Sequence, residues 1–212
     1  MTRIAVIGGT GYAGSNIVAE AVSRGHSVIS VARSVPTERV EGAVYLEGNI
    51  LDVPSLLEQI DEADVVIQAI SPRGDMVGKV RPATAELFEA MPDEMRLGVI
   101  GGAGGSLIAP DGPRLIDSGF PDEFKAEAFE AIGVLEDLEA DASDKDWFFV
   151  HPAGGFGVWA PGERTGEYRD GGKVLVTDDK GDSFISGADF GVAVVDEIEK
   201  PKHHRENFTV GY

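Results

Sequence analysis

Arg3-Ile4-Ala5-Val6-Ile7-Gly8-Gly9-Thr10-Gly11-Tyr12-Ala13-Gly14 decides the fold. The β-branched apolar run Ile4 to Ile7 reads as a strand buried on both faces. It runs straight into glycines. Gly9, Gly11 and Gly14 satisfy G-x-G-x-x-G, and Gly8, Gly11 and Gly14 satisfy the looser G-x-x-G-x-x-G. A helix pattern follows, with Ile17, Val18, Ala21 and Val22 on one side and Arg24-Gly25 at its end. Strand, glycine turn and helix start together make a phosphate cradle. Free N–H groups and the positive helix end face a pyrophosphate, while the glycines permit the tight turn and the close approach. Gly8, Thr10, Gly11, Tyr12, Ala13 and Gly14 are the candidate cradle residues.

The 212 residues suit one α/β domain, with a small lobe expected from 156 to 185. A hydrophobic content of 42% supplies a core and argues against disorder. There is no cysteine, hence no disulfide framework and no thiolate chemistry. No apolar run is long enough for a bilayer, and no signal peptide is read, so a cytoplasmic protein with no membrane partner is expected. The formal charge of −19 would repel polyphosphate backbones, which excludes nucleic acid as an expected partner. An anionic cofactor must therefore be held by local features, a helix start and one or two placed arginines.

Further along, His26 to Ala32 reads as a second strand, followed by Arg33-Ser34. An acid about 20 positions beyond the glycines takes the ribose 2′-OH in NAD-binding domains. The window Val31 to Ser34 holds none, and Arg33 can instead take a 2′-phosphate. NADP is therefore expected, with NAD as the lesser possibility. Ala43 to Leu46 reads as the third strand, leading to Asn49, Ile50 and Asp52. Asn49 is a candidate adenine contact, and Asp52 before Val53-Pro54 is a helix N-cap. Asp64 to Ile70 is a central fourth strand, which puts Ala69, Ile70 and Ser71 at a carboxyl edge. A helical stretch follows from Met76 to Met91, which Pro82 should kink or restart.

Arg96 to Ile100 is a fifth strand that enters Gly101-Gly102-Ala103-Gly104-Gly105-Ser106. Ser106 is either a loop serine or a donor to a substrate carbonyl. The Pro/Gly-rich segment from Ala109 to Pro121 is a candidate lid. A helix from Asp122 to Asp141 should bury Phe124, Ala128, Ile132 and Leu135. Trp147 to Val150 is the sixth strand, and His151-Pro152 ends it. His151 is either bonded to backbone or a proton donor near neutral pH. Phe156 and Trp159 either wall an aromatic pocket or form lobe core. Lys173 to Val176 and Ser183 to Ile185 suggest a hairpin. Ser186-x-x-Asp189 is a capping box for a last helix, and Phe208 to Gly211 leaves room for a seventh strand. The four histidines show no metal-ligand spacing.

GGTGYAG (8–14), GNILD (48–52), VIGGAGGSL (99–107) and GERTGEYRDGGKVLVTDDKGDSFIS (162–186) together span most of the chain. On these stretches the chain resembles the atypical short-chain dehydrogenase/reductases. Within them it is most similar to the bacterial proteins provisionally named NADH-flavin reductases, relatives of biliverdin-IX-beta reductase. The alternation of strands and helices predicts a doubly wound parallel sheet ordered 3-2-1-4-5-6, and the resemblance implies that this sheet is Rossmann-like. The resemblance also implies NADP(H) at Thr10, Gly11, Tyr12, Ala13, Arg33, Asn49, Ile50, Ala69 and Pro152. The superfamily's usual Tyr-x-x-x-Lys is replaced by Phe124-Lys125-Ala126-Glu127-Ala128, in which Phe124 lacks the phenol and Ala128 stands where the lysine belongs.

The reading that follows is a hydride transfer from NADPH to a flavin, quinone or similar planar acceptor, with flavin as substrate rather than bound cofactor. Ser106 and His151 are the candidate catalytic residues. The alternatives are a non-catalytic NADP-sensing regulator of the NmrA type and a sugar-nucleotide epimerase or dehydratase. The partner expected is a small planar molecule, in a monomer or homodimer.

Overall fold

The computed structural model describes the whole chain, Met1 to Tyr212. Its elements are β1 (Arg3–Ile7), α1 (Tyr12–Ser23), β2 (Ser27–Ala32), β3 (Ala43–Glu47), α2 (Val53–Gln59), β4 (Val65–Gln68), α3 (Val80–Ala90), β5 (Arg96–Ile100), α4 (Asp122–Ala140), β6 (Trp147–His151), β7 (Arg169–Asp170), α5 (Gly187–Glu199) and β8 (Glu206–Gly211). The sheet runs β3-β2-β1-β4-β5-β6-β8-β7. All its pairs are parallel except β7 with β8. The expected order of the first six strands is present, and the C-terminal strand extends it beside β6. The strand order reverses between β1 and β4, which is where ligands bind in open α/β sheets.

Period-two alternation sends neighbouring strand residues to opposite faces. Ala5, Ile7, Val66, Leu97, Val99, Trp147 and Phe149 pack under α2, α3 and α4. Ile4, Val6, Val65, Ile67, Phe148 and Val150 pack under α1 and α5. Both faces are covered, which explains why the strands read as continuous apolar runs. Helix α1 ends at Arg24, and Gly25 adopts φ +79°, the left-handed residue that such a terminus favours. Asp52 caps α2 by accepting from Ser55 N at 3.4 Å.

Three expectations are corrected. The stretch from Met76 to Met91 is not one helix. A short 3-10 turn covers Gly74–Met76, and α3 begins at Val80. Pro82 falls in the first turn of α3, where its missing N–H leaves no helical bond unmade. The hairpin between Lys173 and Ile185 does not form. Its turn is present, with Asp178 N donating to Asp182 O at 2.8 Å. The flanks pair elsewhere, Val174 with Leu107 and Phe184 with Gly155. Phe124 is exposed, and the buried stripe of α4 begins at Ala128.

Candidate functional site

The glycine turn joins β1 to α1 at the carboxyl edge of the sheet. Gly8 has φ +83°, and its N–H donates to Val31 O at 2.8 Å. A β-carbon there would lie 3.0 Å from the Ala69 backbone and from Ile70. The turn after β1 and the bend after β4 therefore touch, which brings Gly8, Ala69 and Ile70 together. Ala69 N donates to Ile7 O at 2.8 Å, and the buried Gln68 holds the bend by accepting from Ile70 N at 2.8 Å. Gln68 itself is fixed by Thr84, 2.9 Å away.

At the start of α1, Gly11 is the N-cap residue and no side chain caps the helix. Gly11 N bonds Gly8 O at 3.0 Å, and Ser15 N is the first N–H to bond back into the turn, at 2.8 Å. The N–H groups of Thr10, Tyr12, Ala13 and Gly14 have no acceptor in the chain. Orphan donors at a helix start attract anions. A β-carbon on Gly11 would meet only Gly8 O, at 3.3 Å, so its outer side is open. One on Gly14 would lie 2.2 Å from Gly8 O, so this glycine is needed for the packing of the helix on the turn. Open space over Gly11 and unpaired donors beneath it fit a pyrophosphate.

The residues expected at the adenosine are less closely gathered. Arg33 and Ser34 are exposed beyond β2, and the Arg33 guanidinium is paired with Asp75 from the 3-10 turn after β4. Asn49 Oδ1 accepts from Leu51 N at 3.1 Å, which leaves its Nδ2 free to donate. Ile50 lies wholly in the core, 0% exposed, so its side chain does not reach a cofactor surface. Ser71 is exposed and Pro152 is buried.

Ser106 and His151 both lie in the interior, 0% and 1% exposed. Ser106 Oγ has no hydrogen-bond partner. His151 Nδ1 faces Gly102 O at 2.8 Å, so Nδ1 carries the proton and donates. Burial pushes the imidazole down to about 4 against the pull of that carbonyl. The ring is neutral at neutral pH, which differs from the near-neutral titration expected of it. A β-carbon on Gly105 would lie 2.5 Å from its Cε1, so His151 supports the glycine loop from below. In α4, Lys125 pairs with Asp122 at 2.5 Å, and Phe124 offers no hydroxyl.

The lobe after β6 packs on the start of α1. Phe156 lies between Tyr12 and Phe190, with ring centroids 5.1 and 4.5 Å away. Tyr12 Oη reaches Pro161 O at 3.4 Å, and Arg164 pairs with Glu20 at 2.9 Å. Phe156 thus packs against the main core under α1 and α5 and not in a separate lobe core, whereas Trp159 stands 70% exposed at a turn closed by Ala160 N donating to Gly157 O. The capping box is also more than a cap. Ser186 Oγ accepts from Asp189 N at 3.0 Å, but the buried Asp189 carboxylate accepts from Thr165 N, Thr165 Oγ1, Gly166 N and Tyr212 Oη. Burial opposes its ionisation, yet these bonds, that of Tyr212 foremost, hold its pKa below the usual carboxylate value. Sequence reasoning missed Gln68, whose amide turns back on its own strand end, and missed Asp75 and this wider role of Asp189, because both act across a long sequence separation.

Residues 8–201 match the NAD(P)H-binding family. The uncharacterised protein YwnB of Bacillus subtilis is 35% identical, across 98% of this chain and 97% of that protein. A Streptococcus pneumoniae structure provisionally named an NADH-flavin reductase superposes with a TM-score of 0.85 at 32% identity, over 100% of this chain and 99% of that one. A Bacteroides thetaiotaomicron structure provisionally named an epimerase superposes with a TM-score of 0.87 at 33% identity, over 100% of this chain and 97% of that one. The cradle, the switch-point strand order and a match over most of the chain agree, and the chain belongs to the NAD(P)H-binding family.

Proposed function

We propose that the protein is an NADPH-dependent reductase of flavins, quinones or similar planar acceptors. The observation that carries this is the pairing of an open anion cradle with a site that offers no positioned acid. The N–H groups of Thr10, Tyr12, Ala13 and Gly14 hold the pyrophosphate, Arg33 takes the 2′-phosphate, and the Asn49 amide meets the adenine. When bound, NADPH supplies a hydride. The neighbouring residues then have few tasks. Gln68 and His151 set the backbone of the 69–71 bend and of the glycine loop. Trp159 offers an exposed indole face on which a flat acceptor stacks.

Alcohol–ketone and epimerase chemistry needs a phenol or a comparable acid beside the reacting carbon. Phe124 cannot supply one, and His151 is neutral, buried and already donating to Gly102. Reduction of a flavin or quinone takes its proton from water. This absence of an acid also favours a second reading, an NADP-sensing protein without turnover. NADPH oxidation with riboflavin, flavin mononucleotide and menadione separates the two. The reductase reading expects saturable turnover with at least one of them. Tight NADP binding with no turnover would establish the sensor instead.

A further inference from the structure

Arg33 already has a partner within the folded chain. It follows β2, Asp75 follows β4, and the two strands flank β1 on either side. Their ion pair therefore links the two sides of the glycine turn. Arg33 Nη1 donates to Asp75 Oδ2, and no other group in the chain bonds this guanidinium. Both side chains are exposed, 61% and 65%. Their anchorage differs. Arg33 sits on a long side chain in an open loop. Asp75 belongs to a segment fixed at several points. Met76 beside it is buried in the core. Arg73 Nε donates to Glu127 at 2.5 Å. Gly78 N and Val80 N donate to Glu130 at 2.6 and 2.8 Å.

We propose that Asp75 is a built-in competitor of the cofactor's 2′-phosphate for Arg33, and so a specificity-determining residue. This rests on the assignment of Arg33 to the 2′-phosphate made above. A dianionic phosphate and the Asp75 carboxylate cannot share one guanidinium without repelling each other. With the Asp75 segment pinned, the arginine must swing from one to the other. NADP binding then includes breaking an existing ion pair, and NAD, which has no 2′-phosphate, leaves that pair intact. Asp75 thereby narrows the preference for NADP that Arg33 alone would give. The chain's own acid keeps the gap between the two cofactors smaller than a free arginine would make it.

Asp75→Asn keeps size and hydrogen bonding but removes the charge, and its exposure makes it harmless to folding. Exposed pairs are worth up to about 1 kcal/mol, so calorimetry should show NADP binding about two- to fivefold tighter, with NAD unchanged. The fragment 2′,5′-ADP should gain as NADP does, and 5′-ADP should not. The gain should shrink in high salt. In the Arg33→Ala background Asp75→Asn should bring no gain for NADP. Unchanged NADP affinity in Asp75→Asn, an equal gain for both cofactors, or a gain that survives without Arg33 would each overturn the proposal. The last result would leave plain charge repulsion in its place. Equal loss of NAD and NADP in Arg33→Ala alone would instead refute the assignment of Arg33 to the 2′-phosphate, and the competition with it.

Discussion

A β-carbon on Gly14 would stand 2.2 Å from the carbonyl oxygen of Gly8, whereas one on Gly11 would touch only that same oxygen, at 3.3 Å. The two motif glycines therefore do different work. Gly14→Ala must push α1 away from the turn and should destabilise the protein by about 1–3 kcal/mol. Gly11→Val should leave a folded protein, at the cost of about 1 kcal/mol that a poor N-cap carries, and abolish NADP binding, because its side chain fills the space over the cradle. Thermal melts and calorimetry on both variants check this. A Gly11→Val protein with unchanged NADP affinity would place the pyrophosphate elsewhere.

The preference for NADP should reside in Arg33. A charge-assisted bond that the bound cofactor partly covers is worth about 1.5–3 kcal/mol, or roughly one to two decades in affinity. Arg33→Ala should weaken NADP binding by close to the lower figure, since the resident Asp75 pair is lost with it, and barely affect NAD. Titration of both cofactors into both proteins measures this. Equal losses would mean that Arg33 only stacks on adenine.

Trp159 should report on the acceptor. The chain has two tryptophans, and Trp147 is buried at the start of β6 while Trp159 is exposed. Acrylamide quenching of the native protein therefore reads mainly Trp159. Riboflavin added to the NADP-loaded protein should shield it. Trp159→Ala should raise KM for riboflavin several-fold with little change in kcat, since stacking on an aromatic ring is worth about 1–3 kcal/mol. Quenching that riboflavin leaves unchanged, with an unchanged KM, would show that the acceptor does not touch the indole.

His203 should make stability fall in alkali. It lies between Glu197, at 2.8 Å, and Asp170, at 3.2 Å. Burial alone would lower its pKa, but the two carboxylates outweigh it and raise the value from 6.5 to about 9. A group whose folded value is raised contributes fully below its unfolded pKa. That contribution, on the order of 2 kcal/mol, is then lost as pH rises through the folded value. Denaturant midpoints of the native protein should decline between about pH 6.5 and 9, and those of His203→Gln should decline less. Parallel curves for the two proteins would exclude this histidine as the cause.

The fold was legible because its signals are local. The apolar run Ile4 to Ile7, the glycines after it and the alternation of strands with helices specify a parallel sheet without reference to distant residues. Asp52 and Ser186 were legible for the same reason, since a cap acts within one turn. What escaped were contacts made by the folded chain. Asp75 meets Arg33 only because β2 and β4 flank β1, and nothing in the spacing of the two residues encodes that. The strand flanks at Lys173 and Ser183 have hairpin composition, but Leu107 and Gly155 compete successfully for their backbone. His151 shows the limit for chemistry. Its position after a central strand was readable, but its burial, which pushes it down to about 4, was not.

The proposed reductase activity rests on hydride transfer from bound NADPH to a planar acceptor. Mixing the NADPH-loaded protein with riboflavin under anaerobic conditions, and following nicotinamide and flavin absorbance together, tests that transfer. Both bands should bleach in equal amounts, at a rate that saturates with riboflavin and is lost in Gly11→Val. Bound NADPH whose absorbance persists beside riboflavin, flavin mononucleotide and menadione alike would contradict it.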